Sequence, residues 1–160
     1  RGGMMARLVL NTFGDRTTIP IAQVVLADNS KTNLLRYIGN KLNWWNFHDF
    51  TRIPKEWKVI AHHMTISYGE PFTEKLQEDI DNEKGVHLFV RRFGVSKDAI
   101  AAEVEGYESS NKIAHITIAI PPDGKAKNSN DITEWYEVTG CCVLYGVVTD
   151  CSINLERKNG

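Results

Sequence analysis

Two short segments of the chain repeat one pattern. Ala61-His62-His63-Met64-Thr65-Ile66 and Ile113-Ala114-His115-Ile116-Thr117-Ile118 each set His-x-Thr inside an apolar run. Side chains alternate across an extended strand, so His63 and Thr65 share one face, and so do His115 and Thr117 on theirs. The alternate positions are Ile60, His62, Met64 and Ile66 in the first segment, and Ala114, Ile116, Ile118 and Ile120 in the second. They read as core faces. Each strand thus offers one imidazole and one hydroxyl from an apolar setting. With an unperturbed pKa of about 6.5, one imidazole can take a proton from water while another gives one to a leaving oxygen. Hydroxyls and backbone N–H groups can steady negative charge on non-bridging oxygens. Phosphodiester hydrolysis needs such a set, and it needs no metal.

Other residues could serve the same site. Lys112 precedes the second motif and could approach a phosphate, and Tyr68 ends the first strand where an aromatic ring could stack. Trp44, Trp45 and Phe47 offer the same stacking chemistry, with core packing the plainer reading. Arg91-Arg92 reads as a solvated strand edge more readily than as a basic lip. His48 and His87 are isolated. His62 is expected on the face opposite His63, in a buried or supporting role. A zinc site from His62, His63 and His115 lacks a fourth ligand, and adjacent histidines on a strand point apart. No metal and no cofactor are expected, and no glycine-rich phosphate loop occurs.

Strands are expected at Leu8 to Thr12, Ile21 to Leu26, Val59 to Tyr68, Val86 to Phe93, Ala99 to Val104, Lys112 to Ile120 and Cys142 to Val148. Asp28 and Ser30 can cap a helix carrying Leu34, Leu35, Ile38 and Leu42, with Gly39 a place to fray. Trp44 to Trp57 reads as an aromatic-rich connection. Thr73 caps a second helix, with Glu74 in its first turn and Leu76 and Ile80 on one side. Pro121-Pro122-Asp123-Gly124 is a turn, and Asn128 to Asn130 opens a short helix containing Ile132 and Trp135. Strands interrupted by a few helices make an α+β domain.

The 160 residues are 42% hydrophobic and 24% charged, which fits one domain over residues 1–160. Arg1 to Met5 reads as a cloning remnant or an interdomain junction. No apolar run approaches the ~20 residues of a membrane helix. A net charge of −1 argues against a protein that grips long duplexes, and is compatible with recognition of a single nucleic-acid end. Cys141, Cys142 and Cys151 form no dispersed framework and read as buried, reduced thiols, which points to an intracellular setting, cytoplasmic or nuclear.

The paired His-x-Thr-hydrophobic motif resembles the signature of the two-histidine phosphoesterase superfamily. Asn111-Lys112-Ile113-Ala114-His115-Ile116-Thr117, with Ala101-Ala102-Glu103-Val104 before it, is similar to the cyclic phosphodiesterase domain of fungal and plant tRNA ligases. Motif-level likeness covers about Ile60 to Ile120. The resemblance implies a two-lobed fold with antiparallel sheets facing across a central groove. It also implies hydrolysis of an RNA 2′,3′-cyclic phosphate to a 2′-phosphate, in RNA repair or tRNA splicing. By that resemblance His63 and His115 would divide the acid and base roles and Thr65 and Thr117 would hold phosphoryl oxygens; Lys112 and Tyr68, from their own positions, are expected to contact substrate. The RNA 3′ end or a cyclic nucleotide is the implied partner, with kinase and ligase domains flanking in a longer chain. Cleavage of 2′–5′ or 3′–5′ linkages, and RNA-end binding without catalysis, are the alternatives. The histidines lie 52 residues apart (63 to 115), closer than in many members, which implies a pared-down second lobe.

Overall fold

Antiparallel pairing organises the computed structural model, which describes residues 18–45, 53–138 and 140–154. In chain order the elements are β1 (Thr18–Ile19), β2 (Ile21–Leu26), α1 (Asp28–Trp45), β3 (Lys58–Val59) and β4 (His63–Tyr68). Then come α2 (Glu74–Asp81), β5 (Gly85–Val95), β6 (Ile100–Glu105), β7 (His115–Ile120) and a 3-10 helix, Ala126–Asp131. β8 (Trp135–Glu137), β9 (Val143–Asp150) and β10 (Ile153–Asn154) complete the order. The strands β7-β4-β2-β9-β5-β6 lie side by side, and β6 pairs back onto β7, so six strands close into a barrel. β3 adds to β7, β8 adds to β5, and β1 pairs with β10. This is an α+β, mostly antiparallel fold, and its main sheet is continuous.

Burial alternates with period two along β4, β9 and the first half of β5, whereas β7 is buried on both faces. Val24, Met64, Leu88, Ile116, Ile118 and Leu144 are fully buried in one core, and Leu34, Ile38 and Leu42 of α1 join the same cluster. Burial of that helical stripe carries α1 through Gly39 to Trp45, outweighing the ~1 kcal/mol that a mid-helix glycine costs. Ser30 is buried within α1, and its Oγ accepts the Tyr145 N–H at 2.7 Å, tying the helix to β9. Thr73 caps α2 as expected, its Oγ1 accepting the Leu76 N–H at 3.1 Å.

Several expectations change. The strand read from Val59 to Tyr68 is broken between β3 and β4, where Ala61 takes φ 44°. Ile132 and Trp135 lie outside the 3-10 helix: Ile132 is buried with Ala99, Ala101 and Ile120, and Trp135 pairs with Gly94 in β8. The indole lies so close to Gly94 that a Cβ there would be 2.7 Å from its ring. Tertiary packing against β5 wins over local helical spacing. Cys142 is buried, its thiol pushed up to about 11 chiefly by desolvation, whereas Cys141 is exposed. The strand expected at Leu8 to Thr12, Arg1 to Met5, Phe47 and His48 lie outside the described residues, as do the side chains of Trp44 and Trp45. Among the described residues no helix is long and apolar enough to cross a membrane.

Candidate active site

The two His-x-Thr segments meet at one cross-strand pair. Met64 of β4 stands opposite Ile116 of β7, and both are fully buried in the core. His63 and Thr65 flank Met64, and His115 and Thr117 flank Ile116, so all four turn to the other face of the sheet. All four line one cavity of about 600 Å³, with Ile21, Gln23, Tyr68, Asn111, Ala126, Lys127 and Asn130. Strand alternation thus delivers both imidazoles to one place. β2 contributes next: Gln23 pairs with Thr65, Val25 with His63 and Ile21 with Tyr68.

His115 is buried, and its Nδ1 lies 2.8 Å from the Ile113 carbonyl oxygen. A carbonyl only accepts, so Nδ1 carries a proton and Nε2 is the nitrogen left to exchange one. Across the strand pair stands Glu103 of β6, whose carboxylate takes the Arg92 guanidinium. Thr117 is buried too, its Oγ1 lying 2.8 Å from Ser129 Oγ and donating to the Ala126 carbonyl at 3.3 Å. Its hydroxyl is therefore tied to the 3-10 helix that folds over β7. Thr65 has no such tie: its hydroxyl makes no hydrogen bond to protein among the described residues, and Ser109 binds only its carbonyl.

His63 differs from the neutral-range imidazole read from sequence. Desolvation first, then the fields of His62 and His115, lower its pKa from 6.5 to about 4. His62 is exposed, not in the core, and its Nδ1 lies 3.0 Å from His63 Nδ1. The break at Ala61 explains this. Ala61 N–H reaches the Thr117 carbonyl while Met64 faces Ile116, so β4 carries two extra residues against β7 and alternation fails between them.

The lowered pKa has a consequence for stability. An unfolded His63 takes up a proton near 6.5, whereas the folded one stays neutral down to about 4. The native state therefore holds its full advantage above pH 6.5 and loses it as pH falls from 6.5 through about 4. The loss is on the order of 3 kcal/mol. Urea denaturation across that window is expected to show a steeper fall in unfolding free energy for the native sequence than for His63→Gln, which cannot titrate.

Lys112 does not line the main cavity. It lines a neighbouring one of about 460 Å³ with Trp135, and the two cavities share only His115 and Asn130. Lys127 is the lysine that lines the main cavity. Arg91 pairs with Glu105 at 3.1 Å, and Arg92 also lies over the Trp135 ring, so neither forms a basic lip here. His87 packs edge-on against Tyr145. Gln23, Asn111, Lys127 and Asn130 line the cavity without having been read from sequence as site residues, although a lone glutamine in the apolar strand Ile21–Leu26 was a signal. Among the described residues no group of three His, Cys, Asp or Glu side chains is placed to hold a metal ion. No protein-family model matches the sequence, and no curated protein matches it.

Proposed function

We propose that this chain is a two-histidine phosphodiesterase that opens the 2′,3′-cyclic phosphate of an RNA 3′ end to a 2′-phosphate without a metal. The observation that carries the reading is the convergence of both His-x-Thr segments on one cavity around the Met64–Ile116 pair. His63, neutral throughout the neutral range, is the base. Its free nitrogen takes a proton from water as the water oxygen bonds to phosphorus. The bond from phosphorus to the 3′ oxygen breaks, and that oxygen takes the Nε2 proton of His115, which enters the step as an imidazolium with its Nδ1–H on the Ile113 carbonyl and leaves it neutral. Thr65 donates its hydroxyl to a non-bridging oxygen, Lys127 faces the phosphate charge and Tyr68 offers a ring to the terminal base. In this reading the two lobes are the halves of the closed sheet that meet at β4 and β7. An RNA-end substrate goes with a cytoplasmic or nuclear protein and with kinase and ligase partners.

The test is an assay on oligonucleotides bearing a 2′,3′-cyclic phosphate, a 2′–5′ linkage or a 3′–5′ linkage, with product phosphate position read by phosphorus NMR. The cyclic phosphate is expected to open to a 2′-phosphate at a rate unchanged by EDTA. Binding without turnover would leave an RNA-end binder. Loss with EDTA, restored by zinc or manganese, would overturn the metal-free mechanism.

A further inference from the structure

The His62–His63 contact has a chemistry of its own. Two imidazoles face each other through Nδ1 atoms 3.0 Å apart, with the rings edge-on at 77° and centroids 5.2 Å apart. At that distance one nitrogen donates and the other accepts. The direction matters, because a neutral imidazole carries a proton on only one nitrogen. If His63 donates from Nδ1, its Nε2 is a bare lone pair. If His63 accepts there, the proton sits on Nε2 and the ring cannot act as a base. The neighbour at Nδ1 thus decides what the rest of His63 can do in the cavity it lines.

We propose that His62 is a positioning residue that accepts the Nδ1–H of His63 and so presents His63 Nε2 to the cavity as a lone pair. The inference rests on the base role given to His63 above. Exposure of His62 favours this direction: with Nδ1 accepting, its own Nε2–H points to a ring edge that water can reach. His115 has its Nδ1 held by a backbone carbonyl, so each imidazole has a dedicated acceptor at the same ring nitrogen. The backbone is shaped for the contact. Adjacent side chains on a regular strand point apart, and here Ala61 at φ 44° leads into two extra residues that let His62 reach His63. A non-glycine residue in left-handed backbone needs support from its surroundings, and clusters at functional sites. Ala61 is itself fully buried, and its N–H is held by the Thr117 carbonyl of the second motif.

The experiment compares His62→Ala, His62→Asn and the native protein by long-range proton–nitrogen NMR of the histidine rings, alongside turnover of a cyclic phosphate. Asparagine sets an amide oxygen close to where Nδ1 stood, so it can still accept. The native protein and His62→Asn are expected to show His63 protonated at Nδ1, while His62→Ala shows the proton shifted toward Nε2. Turnover number is expected to drop about tenfold or more in His62→Ala with little change in KM, and to recover in His62→Asn, as for a residue that orients a base. A native His63 protonated at Nε2, or a His62→Ala protein with unchanged tautomer and turnover, overturns the proposal. The NMR arm needs no activity: absence of turnover in the native protein would count against the enzyme reading, and the tautomer would still decide the role of His62.

Discussion

Replacing His63 or His115 by alanine lowers turnover of a 2′,3′-cyclic phosphate by about 100-fold or more, the usual contribution of a positioned acid or base. The two variants are expected to differ in other respects. His63 is partly buried and neutral, so His63→Ala removes a desolvated imidazole and leaves folding largely intact. His115 is buried between β6 and β4, with Nδ1 on the Ile113 carbonyl, so His115→Ala also strips an acceptor of its donor. Circular dichroism on both, beside turnover, separates chemistry from stability. A folded variant of either kind with normal turnover would exclude the two-histidine mechanism. In the native protein the acid limb of the pH–rate profile is expected near pH 4, where His63 protonates, and not near neutrality. An acid limb near 6.5 would show that His63 is not the base.

The paired motifs were legible from sequence because alternation in a strand is a local rule. Met64 and Ile116 turn into the core, so the residues on either side of each turn to the opposite face, toward the cavity. His62 was not legible, because it depends on Ala61 leaving the extended region, and alanine carries no signal for positive φ as glycine would. Asn130 and Lys127 come from a 3-10 helix that reaches the site by folding back over β7, a long-range event with no periodic signature. Trp135 had the spacing of a helix residue and became a strand residue because Gly94 leaves room for its ring. Lys112 stood next to the second motif in sequence and lines the cavity on the far side of His115. Proximity along the chain set Lys112 beside His115, but in the neighbouring cavity and not in the one that both motifs line.

The threonines test whether the two motifs, alike in sequence, do equal work. Equal motifs would give equal losses on removing either hydroxyl. The structure makes them unequal. Thr65 Oγ1 has no protein partner among the described residues and lies in the cavity wall, so it is available to a phosphoryl oxygen. Thr65→Val, which keeps the shape and loses the donor, is expected to cost roughly 1.5–4 kcal/mol of transition-state stabilisation, with little change in unfolding free energy. Thr65→Ser keeps the donor and is expected to be far milder. Thr117 Oγ1 is already engaged by Ser129 Oγ, in a place where Ser129 is almost wholly buried. Thr117→Val leaves that serine hydroxyl without its partner, which costs about 1–3 kcal/mol of folding stability. It also loosens the 3-10 helix that brings Lys127 and Asn130 to the cavity. Thr117→Val combined with Ser129→Ala removes both partners and is expected to recover much of the stability. Chemical denaturation and kcat/KM on the four variants decide the matter. If Thr65→Val and Thr117→Val lose the same turnover at unchanged stability, both hydroxyls serve the phosphate and the tie to Ser129 is incidental.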